Sequence, residues 1–169
     1  MSAHDADIRL LQVKAEALAV DLHEALEENR KMREQAERTR LLEQVISNAH
    51  DGIMITEAGD INHPGPRIVF VNEALTTITG YQADELLGQT PRILQGEKTD
   101  RAVLAQLRSC LEKGEPFRGE MINYNKSGEE YWLDVSIVPI RNSYGTITHF
   151  TAIERDITAR KKAAEDLFL

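Results

Sequence analysis

The chain has 169 residues, enough for one ordinary domain with length to spare but not for two full domains. Hydrophobic residues make up 41% and charged residues 28%, so it can bury a core, and no apolar run approaches the roughly 18 residues of a membrane span. Twenty Lys and Arg against 28 Asp and Glu leave a net charge of -8, which argues against a nucleic-acid partner, because that needs a basic face.

The N-terminal sequence MSAHDADIRL has neither a basic stretch nor an apolar segment of the secretory kind. Residues 1–45 hold no Gly or Pro and are dense in Ala, Leu, Glu, Arg and Gln, which predicts one long helix. Two columns recur every seven residues: Ile8, Ala15, Leu22, Asn29, Ala36 and Leu11, Leu18, Ala25, Met32, Thr39. Read as a and d positions, they predict a parallel coiled-coil homodimer with Asn29 setting register. From Ile8 to Thr39 such a helix is roughly 48 Å long. Packing of the same stripe on the chain's own domain is the other reading, and the weak knobs Ala, Asn and Thr favour it.

From Gly52 onward short apolar runs alternate with turn residues. GIMIT (52–56) and RIVFVN (67–72) read as strands, joined by a Gly- and Pro-containing loop. Asn72 is placed to cap a short helix that Gly80 ends, and a second short helix near Asp84 to Leu87 stops at Gly88. Thr99 or Asp100 caps a longer helix with Leu104, Leu107 and Leu111 on one face. Strands at about 117–125, 130–140 and 147–156 follow as a meander with tight turns. The expected architecture is α+β: a five-stranded antiparallel sheet with short helices on one face. The predicted organisation is a helix over 1–45, a domain over 46–158 and the start of a further helix over 159–169. The exposed ending Leu167, Phe168, Leu169 suggests a fragment whose output domain follows. The single cysteine, Cys110, precludes an internal disulfide and a cysteine zinc site, and the composition fits a reducing compartment, hence the cytoplasm.

Strand alternation selects the inward polar residues. Phe150, Ala152 and Glu154 share one face of the last strand. Tyr131, Leu133, Val135 and Ile137 form the plausible inward set of the preceding strand, and Gly119, Met121 and Asn123 that of the one before. A buried Asn123 needs partners, either backbone groups near the hairpin or a heterocycle with donors and acceptors. Arg92 and Gln95 fall in a short turn beside the helix that carries Arg108. Two neighbouring guanidiniums fit a phosphate by forked hydrogen bonds, although spacing alone favours ordinary surface arginines.

The segments VFVNEALTTITGY, GQTPRILQGEKTDRAVLAQLR, INYNKSGEEYW and HFTAIERDIT resemble a PAS domain, and within that superfamily its flavin-binding light-oxygen-voltage (LOV) branch. The resemblance covers roughly residues 41–158. It implies that Arg92 and Arg108 grip a flavin phosphate, that Gln95 contributes to the same site, and that Asn123 reads the edge of the flavin ring. Three positions depart from the family pattern. Pro91 stands where the adduct-forming cysteine belongs, so a cysteinyl-flavin photocycle is excluded. Leu133 replaces a second ring-reading asparagine, and Glu154 replaces the glutamine beside flavin N5.

The resemblance and its departures imply a sensor that holds flavin non-covalently and signals by redox change or photoreduction, with Glu154 as a proton-coupled reporter. FMN is slightly favoured over FAD because both phosphate arginines are kept. The alternative is a flavin-free PAS module for dimerisation, signal relay or another small ligand, which the apolar Pro91 and Leu133 favour. Haem ranks low, since no histidine lies on the helix after Thr99. No phosphate loop, catalytic triad, kinase or cyclase motif is present, so the chain is expected not to be an enzyme and to feed a C-terminal effector.

Overall fold

The computed structural model describes residues 3–62 and 64–167. Met1, Ser2, Phe168 and Leu169, which the sequence places in the terminal helices, lie outside the described residues, as does His63. The chain divides into two compact units, Met1–Val45 and Ile46–Leu169. The first is made by helix α1 (Ala3–Ser47), uninterrupted as its lack of Gly and Pro predicts. In the single chain its seam residues are open to solvent, with Leu11 65%, Leu18 69% and Met32 63% exposed. Leu10, Val13, Val20 and Leu26 are also exposed and lie outside the two heptad columns.

The second unit begins with β1 (Gly52–Glu57) and β2 (Ile68–Val71), followed by α2 (Glu73–Thr79) and α3 (Ala83–Leu86). A 3-10 turn, Pro91–Leu94, leads to α4 (Arg101–Lys113). Strands β3 (Phe117–Tyr124), β4 (Glu130–Arg141) and β5 (Ile147–Asp156) and helix α5 (Thr158–Asp166) complete it. The five strands form one sheet in the order β2-β1-β5-β4-β3, antiparallel throughout. The expected α+β architecture is therefore present, preceded in the sequence by the long helix α1 and followed by the shorter α5.

The hydrophobic core lies between one sheet face and the short helices. Met54, Met121, Leu133, Val135 and Ala152 project from the strands, and Leu75, Leu86 and Leu94 come from the helical segments. Asn72 organises the entry to those segments. Its Oδ1 accepts from the backbone amides of Ile53 (2.8 Å) and Leu75 (3.0 Å), and its Nδ2 donates to the carbonyls of Asp51 (3.0 Å) and Ile46 (3.2 Å). That uses the whole hydrogen-bonding capacity of an amide side chain. It also explains why β2 ends at Val71, one residue before the predicted strand end.

Other boundaries shift for local reasons. The α3 helix starts and ends one residue earlier than predicted, because Glu85 reaches back to the Gln82 backbone amide (2.9 Å) and Leu87 is extended. Of the two candidate caps for α4, Asp100 takes the role, accepting from Ala102 and Val103. Thr99 instead donates to the Ile122 carbonyl at 2.7 Å and ties the loop to β3. Asn72→Ala leaves two amides and two carbonyls without this partner. It should lower stability by about 2–4 kcal/mol in urea unfolding, and a loss below about 1 kcal/mol would show that water replaces the side chain.

Candidate functional site

Alternation along the inner strands leaves a cavity of about 420 Å³ between the sheet and the helical layer. That size lies within the roughly 300–1,000 Å³ of small-molecule sites. All seven residues singled out in the sequence, Pro91, Arg92, Gln95, Arg108, Asn123, Leu133 and Glu154, line it. They come from the 3-10 turn, α4, β3, β4 and β5, so only the tertiary fold brings them together. The α4 face predicted to be apolar, Leu104, Leu107 and Leu111, forms one wall. Cys110, half-buried on the same helix, is not among the lining residues.

The floor is mostly apolar, with Thr56, Asn123 and Glu154 as its buried polar members. Asn123 is 5% exposed and Glu154 4%, and neither Asn123 Oδ1 nor Glu154 Oε2 has a hydrogen-bond partner among the described residues. Buried polar atoms are normally satisfied, so two orphans on one cavity floor mark where an occupant with polar edges fits. Glu154 sits on the central strand β5, between Gly52 of β1 and Val135 of β4. Burial pushes its carboxyl up from 4.5 to about 7. Tyr131, opposite Asn123 in the β3–β4 register, also carries a buried hydroxyl, which lies near the Asn123 side chain but outside hydrogen-bond geometry among the described residues. Burial, reinforced by the Glu154 charge, raises its phenol above the usual range.

At the mouth the side chains are cationic. The Arg92 guanidinium donates to the Ile61 carbonyl at 3.4 Å. Arg108 donates from Nε to Glu112 at 2.9 Å and from Nη2 to Asn62 Oδ1. Asn62 is itself held in a turn, its backbone and side-chain nitrogens both donating to Asp60 Oδ1 at 2.8 Å. These bonds, the backbone one foremost, keep the Asp60 carboxyl below its usual range. The β1–β2 loop thus positions both arginines. The set suits a flat heterocycle on the floor with an anionic tail at the mouth.

Sequence reasoning overlooked Asn62, Arg101 and the hydroxyl of Tyr131. The Asp-x-Asn spacing of Asp60 and Asn62 signals a turn, but nothing local says that it meets Arg108. Arg101 also lines the cavity, seven residues before Arg108, a helical spacing that could have drawn notice.

The raised Glu154 carboxyl has a stability consequence in the ligand-free protein. Between about pH 4.5 and 7 the folded state retains a proton that the unfolded chain has released, so stability falls as pH rises through that window and is level above it. Glu154→Gln removes this slope. At pH 8 the variant should exceed the parent by about 1–3 kcal/mol relative to pH 4, and parallel pH profiles in urea unfolding would refute the assignment.

The sequence profile of the PAS domain matches residues 50–159. A blue-light-activated histidine kinase of Brucella ovis is 40% identical over 95 residues, covering 56% of this chain and 19% of the kinase. A bacterioopsin transcriptional activator of Halobacterium salinarum is 33% identical over 128 residues, covering 76% of this chain and 18% of the activator. The chain thus spans less than a fifth of the length of these relatives. An RNA-binding light-oxygen-voltage receptor superposes with a TM-score of 0.70 at 27% identity, over 79% of this chain and 37% of that one. A light-oxygen-voltage domain studied with a flavin analogue gives 0.62 at 27% identity, over 74% and 94%. Sheet order, cavity and the match over 50–159 together make the chain a member of the PAS domain family, a sensory module similar to light-oxygen-voltage receptors.

Proposed function

We propose that the domain binds a flavin non-covalently and signals through its redox change or photoreduction. The observation that carries this reading is a single cavity with two guanidiniums at the mouth and the orphaned Asn123 and Glu154 oxygens on the floor. Arg92 and Arg108 would hold the flavin phosphate, with Gln95 beside them, and Asn123 would meet the edge of the ring. Leu133 adds apolar contact where an amide would add a polar one. A bound flavin supplies electron uptake coupled to protonation at its N5 position.

Glu154 provides the protein's response. As a carboxylic acid it can donate a hydrogen bond into the cavity; as a carboxylate it can only accept. With its carboxyl raised to about 7, both forms are accessible near neutral pH. Two residues later β5 ends, and the Ile157 amide donates to the Trp132 carbonyl at 2.9 Å. Thr158, at the start of α5, accepts from the Trp132 amide at 2.9 Å. A change of hydrogen-bond sense at Glu154 therefore has a short path to the C-terminal helix. Pro91 has no thiol, so this scheme needs no covalent bond to the ligand.

In this reading residues 1–45 form the dimerisation helix, 46–158 the sensor and 159–169 the beginning of the connection to a C-terminal effector, within the cytoplasm. The dimer rests on the two heptad columns and on the exposure of their leucines in the single chain. Light scattering at micromolar concentration should give twice the chain mass, and replacing Leu11, Leu18 and Leu22 together by Glu should give the monomer. A monomeric parent protein would refute the coiled coil.

The visible spectrum of the purified protein, followed by release and chromatography of any chromophore, tests the flavin. A structured blue-region band is expected, and Glu154→Gln should retain the chromophore while altering its response to reduction or light. A colourless protein that stays so after incubation with FMN and FAD would instead establish the flavin-free relay module.

A further inference from the structure

Three guanidiniums line the cavity, those of Arg92, Arg101 and Arg108, against one carboxylate, that of Glu154, among the described residues. This excess of positive charge at one site stands out on a chain of net charge -8. Two of the three are already held: Arg92 by the Ile61 carbonyl, Arg108 by Asn62 and Glu112. Arg101 is exposed and makes no hydrogen bond or ion pair among the described residues.

Its position has no local explanation. Arg101 occupies the first turn of α4, where the helix dipole disfavours a cation. The neighbouring carboxylate of Asp100 is engaged in capping, accepting from the Ala102 amide at 2.7 Å and from the Val103 amide at 3.4 Å. Yet Arg101 shares the cavity face of α4 with Leu104, Leu107 and Arg108. Seven residues separate it from Arg108, two helical turns or about 10 Å along the axis. Long, flexible guanidinium side chains at that spacing can engage successive anionic groups of one extended ligand, each by forked hydrogen bonds.

We propose that Arg101 is an additional ligand-binding residue that engages a second phosphate, so that the site selects a flavin dinucleotide over the mononucleotide. The proposal rests on the flavin reading above and reverses the slight preference for FMN that Arg92 and Arg108 alone gave. Arg92 and Arg108 serve the phosphate next to the ribityl chain, and Arg101 serves the next one, toward solvent.

The test is equilibrium binding of riboflavin, FMN and FAD to the full chain and to Arg101→Ala, followed by flavin fluorescence. The parent protein should bind FAD about tenfold more tightly than FMN, the size of one charge-assisted hydrogen bond. Arg101→Ala should lose about tenfold in FAD affinity and less than about twofold for FMN and riboflavin. Arg101→Lys, which keeps the charge without the fork, should show an intermediate loss for FAD. Equal losses for FMN and FAD, or none for either, would overturn the assignment while leaving flavin binding intact. Failure of all three flavins to bind the parent protein would overturn the flavin reading, and the role of Arg101 with it.

Discussion

The sensor domain hangs on one amide side chain. Asn72 joins the carbonyls of Ile46 and Asp51, the first part of β1 and the N-terminus of α2 through four hydrogen bonds. At 4% exposed it is buried, so every one of these bonds replaces water that cannot reach the groups. Because the chain leaves the sheet at this point, Asn72 decides where β2 stops and where the helical layer begins. Leu75, one turn into α2, then packs closely over Gly52, where a Cβ would lie 2.8 Å from a Leu75 methyl.

The cavity itself combines features that stability alone would not favour. A core of leucines and methionines surrounds one carboxylate oxygen of Glu154 and the amide oxygen of Asn123, neither of which has a hydrogen-bond partner among the described residues. Leaving such groups unpaired costs free energy, and the carboxyl answers by shifting its proton affinity upward. The mouth has the opposite character, with cations tethered by loop backbone and amide groups rather than mainly by acids. Glu154 sits close to the α5 junction along β5. There Lys161 stacks 4.5 Å above the Trp132 ring and pairs, as does Arg160, with Glu120 at 2.5 Å. Glu154 and Trp132, which α5 contacts, thus lie on two adjacent strands, β5 and β4.

Much of the site was legible because a strand has a period of two. Once Phe150 and Ala152 are read as inward, Glu154 must follow them, and the same rule places Leu133 beside Tyr131 and Met121 beside Asn123. The 3-10 turn was harder to read, since four residues offer no periodicity, but Pro91 at its first position marks it. What stayed hidden depends on contacts across long sequence separations. Asn62 reaches Arg108 over 46 residues, from a loop whose composition announces only a turn. Arg101 looked like an ordinary charged residue at a helix start, and only its share in the cavity wall distinguishes it.

By itself, the sequence determined the elements, their order and the inward face of each strand, because capping chemistry, Gly and Pro punctuation and side-chain alternation act over a few residues. It also carried the family pattern and the three positions where this chain departs from it. Only the tertiary structure decided that the seven candidate residues, from five separate segments, line one cavity. It alone left one oxygen each of Glu154 and Asn123 without a hydrogen-bond partner among the described residues and coupled the β1–β2 loop to the arginines at the mouth. The physical reason is that burial and electrostatic environment belong to a position in three dimensions. A carboxylate on a strand has an ordinary proton affinity until both neighbouring strands and the layer above remove its water.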